Sequence, residues 1–209
     1  MKNKIFLLGA IALVAASCCN NVQKAETIQT NDMKTLVVVD VQRDFFSPEV
    51  SLYVSGGELL PAKIAEIAGS YDAVVFTLDW HPGNHCSFAA QGGPWPVHCV
   101  AYTQGAGLAD EFSPILASGK SHLFFKGMEQ DKEQYGAFEN LASDDPIKAI
   151  FEASAQIDVC GIAGDYCVKS SAQNVLNYAP AEKVSILTDL TVSIDDGSTL
   201  AAFIEEAGL

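Results

Sequence analysis

From about residue 34 onward the chain alternates continuous apolar runs with stretches whose apolar positions recur at helical spacing. Residues 35–41 (TLVVVDV) are interrupted only by Asp40, the pattern of a strand buried on both faces. Residues 57–69 set Leu60, Ile64, Ile67 and Ala68 on one side of a helix. A second buried strand spans 73–78 (AVVFTL) and runs into Asp79; a third spans 122–126 (HLFFK), a fourth 157–163 (IDVCGIA) and a fifth 184–188. Helices are predicted over 146–156, 168–177 and 200–207. Between the second and third strands, residues 79–120 form a Gly- and Pro-rich connection, of a length that is usually functional inside a compact domain. There is no internal repeat and no low-complexity tract.

Strands alternating with helices predict an α/β fold, a three-layer sandwich with a mostly parallel sheet of five or six strands. Such sheets bind ligands beyond the carboxyl ends of their strands. Asp40, Asp79, Lys126 and Cys167 all fall there, so separate strands deliver two acids, an amine and a thiol to one edge.

The amino-terminus reads differently. Lys2 and Lys4 precede an almost wholly apolar stretch over 5–16, too short to span a bilayer, where roughly 20 residues are needed. Ala15, Ala16 and Ser17 then lead into Cys18 and Cys19. This resembles a bacterial lipobox: residues 1–17 are expected to be a lipoprotein-type signal, with Cys18 the lipid acceptor before Cys19, and an ordinary secretory signal is the competing reading. Residues 18–33 read as a polar tether, and 34–209 as the catalytic domain. The expected location is the bacterial cell envelope, lipid-anchored and facing the periplasm or the surface.

Composition narrows the partners. With 12 Lys+Arg against 26 Asp+Glu the net charge is −14, and loss of residues 1–17 takes it to −16. That field repels phosphate backbones, which excludes nucleic acid as the expected partner. A single arginine, Arg43, argues against a guanidinium clamp for a dianion. The expected substrate is small and neutral, membrane contact is expected only through the lipid anchor, and a homo-oligomer is left open.

Three of the four histidines, His81, His85 and His98, lie in the 79–120 connection with Asp79. Mixed oxygen and nitrogen ligands suit one divalent metal ion, zinc, iron or manganese, with open positions for water or substrate. Asp79, His81 and His98 are the core set. His85 is either a fourth ligand or a hydrogen-bond partner of a metal-bound water; His122, opening a strand, is read as structural. The alternative is that these rings only hydrogen-bond loop carbonyls. Cys167 stands where a strand turns into a helix, so N–H groups and the helix dipole are expected to favour thiolate and an oxyanion. Cys160, in mid-strand, is read as inert. A disulfide such as Cys86–Cys99 is compatible with the spacing but not fixed by it.

Five blocks in order, VDVQRDF from Val39, DWHP from Asp79, WPVHC from Trp95, FKG from Phe125 and GIAGDYCV from Gly161, together resemble the nicotinamidases of the isochorismatase-like cysteine hydrolases. The resemblance implies hydrolysis of nicotinamide to nicotinate and ammonia, within pyridine nucleotide salvage and NAD metabolism. It implies Asp40, Lys126 and Cys167 as catalytic residues and Asp79, His81 and His98 as metal ligands that hold the pyridine nitrogen. Phe45, Trp95 and Tyr135 would wall the ring pocket. A cis peptide at Ile162–Ala163 would aim the N–H groups of Ala163 and Cys167 at the oxyanion. The sequence departs from the pattern at Gly164, where Thr is commoner, and stops at Leu209, where the family usually continues into a final strand. Export is also at odds with cytoplasmic salvage. Two rivals follow: a related cysteine hydrolase acting on another small amide, and a non-enzymatic lipid-anchored metal-binding protein.

Overall fold

A computed structural model describes residues 32–50 and 52–209. Five strands, β1 (Lys34–Val39), β2 (Ala73–Asp79), β3 (Ser121–Lys126), β4 (Gln156–Ile162) and β5 (Val184–Val192), form one sheet in the order β3-β2-β1-β4-β5. Every neighbouring pair is parallel. Valine-rich β1 and β2 lie at the centre because both their faces are apolar: all of β2 and all of β1 after Lys34 are buried.

Side chains alternate across the sheet, so β1 feeds two cores. Leu36 and Val38 pack with Val74, Phe76, Ile64 and Phe112 under α1 (Arg43–Phe46), α2 (Leu60–Ala68) and α3 (Ser113–Leu116). Val37 and Val39 pack with Phe138, Phe151, Val159 and Phe203 under α4 (Pro146–Ala153), α5 (Lys169–Val175) and α6 (Ser198–Ala207). The chain builds outward from β1 on one side and then resumes at β4 on the other. The crevice at this switch of direction, between the carboxyl ends of β1 and β4, is where a doubly wound sheet receives its ligand.

The differences from expectation are local. The first strand stops at Val39, and Asp40 turns out of the ladder with a left-handed backbone (φ 49). Helix α4 ends at Ala153 because Ser154 is extended (ψ 138) and its hydroxyl donates to the Ile150 carbonyl at 2.7 Å. Strand β5 continues to Val192, with a register irregularity against β4 between Val159 and Gly161. Helices α1 and α3 were not predicted; each has four residues, too few for a periodicity to register. A Cys86–Cys99 bridge is not formed: Cys86, Cys99, Cys160 and Cys167 are free thiols. The signal reading for 1–17 and nearly all of the tether fall outside the described residues, among which no helix is long and apolar enough to cross a membrane.

Candidate active site

Strand register places the amine and one of the carboxylates. Asp79 and Lys126 are paired positions at the ends of β2 and β3. The Lys126 ammonium reaches Asp79 Oδ1 at 2.5 Å, Asp40 Oδ2 at 2.8 Å and Cys167 Sγ at 3.5 Å. Asp40 is held from the opposite side by Thr77, whose hydroxyl donates to Asp40 Oδ1 at 2.6 Å and whose carbonyl accepts from the Asp40 N–H at 3.2 Å. Thr77 was missed in the sequence; its signal is a lone hydroxyl inside an otherwise apolar strand, AVVFTL.

A fully buried lysine between two buried carboxylates is compensated only while both partners remain. Burial alone would lower the Lys126 pKa, but Asp40 and Asp79 raise it well above the usual lysine value. Its stabilising charge is therefore complete at neutral pH and lost only as pH climbs through that raised value. Lys126→Met is expected to cost about 3–5 kcal/mol at pH 7, read as a lower thermal midpoint; an unchanged midpoint contradicts the buried-charge account.

The two carboxylates are driven apart. Burial raises Asp40 above the ordinary carboxylate range, with Lys126 opposing and Asp79 adding to the rise. For Asp79 burial is outweighed by Lys126 and then His81, which hold it ionised. One acid is thereby suited to accept a proton and the other to stay an anionic ligand. Cys167 departs from expectation: it lies in the turn Gly164–Val168, and burial lifts its pKa well above that of a free thiol despite Lys126. That shift favours the thiol over the thiolate, which gives a proton acceptor near the sulfur a part to play.

Asp79 Oδ2 lies 3.5 Å from His81 Nε2 and 3.9 Å from His98 Nε2. The other nitrogen of each ring, Nδ1, donates to a backbone carbonyl, Gly127 O for His81 and Pro96 O for His98, both at 2.8 Å. Those carbonyls can only accept, which fixes the tautomer and turns both Nε2 lone pairs inward. The three donor atoms lie within 4.8 Å of one another, and an oxygen and two imidazole nitrogens fit a divalent ion of the zinc, iron or manganese kind. Gly127 (φ 64) is required here, since a Cβ would strike the His81 ring.

His85 does not join them. Its Nδ1 meets the Ser87 hydroxyl at 2.7 Å and its Nε2 meets the Lys132 carbonyl at 3.0 Å. With both nitrogens taken, it has no lone pair for a metal and no donor for a metal-bound water; its ring stacks on His81 at 4.1 Å and supports it. Sequence spacing brings four candidate ligands into one loop but does not reveal ring orientation.

Phe45, Trp95, Tyr135 and Ala163 line one cavity together with Asp79, His98 and Cys167. Phe45 faces His98 with ring centroids 5.6 Å apart. Trp95 Nε1 donates to the Tyr135 hydroxyl at 3.1 Å. Tyr166, missed in the sequence although it adjoins Cys167, completes the wall, 5.1 Å from Trp95 and 5.3 Å from Tyr135 between ring centroids. Glu133 and Ile194 also line the cavity. The Ile162–Ala163 peptide is cis. At Gly164 the space a Cβ would take is filled by the Ser193 hydroxyl and Leu200.

An all-parallel sheet with a thiol, ion-paired carboxylates and a three-donor cluster at one crevice defines an α/β protein with reactive groups gathered at its strand ends. The Isochorismatase domain model matches residues 34–203, and the chain belongs to that family. The nicotinamidase of Saccharomyces cerevisiae is 32% identical, over 83% of this chain and 94% of that protein. An L. infantum protein crystallised with nicotinate superposes with a TM-score of 0.73 at 32% identity, over 88% of this chain and 93% of that one. The pyrazinamidase of Pyrococcus horikoshii in complex with zinc gives 0.66 at 31% identity, over 84% and 94%.

Proposed function

We propose that this protein is a metal-dependent cysteine amidohydrolase that converts nicotinamide to nicotinate and ammonia through a thioester. The observation that carries the reading is that Cys167, whose Sγ lies 3.5 Å from the Lys126 ammonium, and two members of the Asp79–His81–His98 cluster, Asp79 and His98, line the same aromatic-walled cavity. The relatives named above, a nicotinamidase, a nicotinate complex and a zinc-bound pyrazinamidase, support it.

Asp79, His81 and His98 would hold the metal, which when bound supplies a Lewis-acid position for a pyridine nitrogen. Phe45, Trp95 and Tyr135 hold the ring flat, which sets the carboxamide over Cys167 and lowers the entropic cost of reaction. Asp40 takes the thiol proton as sulfur bonds to the carboxamide carbon. The N–H groups of Ala163 and Cys167 receive the oxyanion. As the C–N bond breaks, Asp40 returns the proton to nitrogen and ammonia leaves a thioester. Water then attacks the acyl carbon as Asp40 again accepts a proton; the C–S bond breaks, Asp40 returns that proton to sulfur to restore the thiol, and the released acid ionises to nicotinate. Lys126 keeps Asp40 ionised between these steps.

The test is ammonia release with nicotinamide, pyrazinamide and benzamide. Nicotinamide and pyrazinamide are expected to turn over, and benzamide, which lacks a ring nitrogen, to lag far behind; equal rates on all three contradict anchoring at the cluster. His98→Ala is expected to lower metal content measured by elemental analysis, and full occupancy would show the ligand set to be wrong. The amino-terminal pattern adds a location: lipidation at Cys18 in the cell envelope. Metabolic labelling with palmitate should mark the protein and be lost in Cys18→Ser; unlabelled protein contradicts it.

A further inference from the structure

We propose that Gln42 and Asp44, at the opening of α1, are positioning residues that fix the main chain around all three metal ligands, so that cation affinity is set by a segment supplying no ligand. The inference rests on the metal reading above and extends it to side chains outside the cluster.

Gln42 is fully buried, and its carboxamide is used up on main-chain partners. Its Oε1 accepts from the Asp79 N–H at 2.8 Å, while its Nε2 donates to the Asp79 carbonyl at 2.8 Å and to the Ala106 carbonyl at 2.9 Å. One planar amide thus grips both peptide groups of Asp79 and fixes the direction in which its carboxylate leaves β2.

Asp44 acts on the histidines. Its Oδ2 accepts from the N–H of Cys99, the residue after His98, at 2.7 Å. The Cys99 carbonyl in turn accepts from the His81 N–H at 3.0 Å, so one residue links the supports of both rings. Cys99 has a left-handed backbone (φ 44), which a cysteine adopts only where its surroundings impose it. The returning loop is fastened to α1 by Arg43 N–H to Gly107 O at 3.0 Å and Asp44 N–H to Gly105 O at 3.1 Å. Gly105 carries no side chain because the Asp44 carboxylate occupies the place where a Cβ would lie. Neither Gln42 nor Asp44 has a partner that reacts, and both have partners adjoining or belonging to ligands.

The experiment is a titration of the full chain, stripped of metal, with Zn²⁺ and Co²⁺ in competition with a chromophoric chelator. Wild type is expected to take up one ion tightly. Asp44→Ala and Gln42→Glu, the latter keeping an acceptor but losing both donations, should weaken binding about 10–100-fold and alter the Co²⁺ electronic spectrum. Asp44→Asn, which keeps an acceptor oxygen, should recover most of the affinity. Tyr71→Phe is the stability control: it loses a buried hydrogen bond to Asp158 of 2.7 Å at the opposite end of the sheet and should lower the melting temperature without changing affinity. Wild-type affinity in Asp44→Ala and Gln42→Glu overturns the proposal alone, as does equal weakening in Tyr71→Phe. A wild-type chain that binds no ion overturns the metal reading and the proposal with it.

Discussion

Cys167→Ala abolishes ammonia release, a loss of about 10⁴-fold or more, while metal content is unchanged. The magnitude follows from the division of labour at the site: only the sulfur can form the acyl bond, and removing a nucleophile leaves the binding groups without a covalent path. The proposed metal donors Asp79, His81 and His98 do not include this residue, which is why occupancy should survive. Loss of a small buried side chain also leaves Asp40 and Lys126 ion-paired at 2.8 Å, so the fold should persist. Steady-state ammonia assays and elemental analysis on the same sample check both halves; retained turnover removes Cys167 as the nucleophile.

Asp40→Asn lowers kcat by about 10²- to 10⁴-fold, the usual worth of a positioned general base. Its pH signature is as informative as its size. In the proposed mechanism Asp40 must be ionised to accept the thiol proton, and burial raises its pKa above the ordinary carboxylate value of about 3.9. Activity should therefore rise with pH through that elevated pKa and fall away below it, an acid limb in kcat/KM displaced upward from a free aspartate. Asparagine cannot titrate, so the limb should vanish from the residual activity. A limb that persists unchanged assigns it to another group.

Much of this site could be read from the chain because its residues end strands. Apolar runs stopping at Asp40, Asp79 and Lys126 announce both the parallel sheet and the edge at which those groups meet, and the Asp79–Lys126 pairing is a direct consequence of register. What escaped depends on side-chain direction and on solvent. His85 shares its loop with the ligands, yet Ser87 and Lys132 take its nitrogens, and spacing holds no record of that. The turn at Cys167 suggested a favoured thiolate from the dipole alone; burial, a property of the assembled layers, pushes the thiol pKa the other way. Gln42 was visible in the sequence as part of VDVQRDF, but its grip on Asp79 exists only once β1 and β2 lie side by side. The five-stranded order β3-β2-β1-β4-β5 likewise needed coordinates, since alternation predicts parallel strands but not which one pairs with β1 across the switch.

Acid-quenched mass spectrometry during turnover of nicotinamide tests the central chemistry most directly. The account predicts a nicotinoyl group on the peptide carrying Cys167, formed in the parent enzyme and absent from Cys167→Ala. Turnover with no acyl-enzyme at any quench time, or an adduct on a different residue, contradicts it.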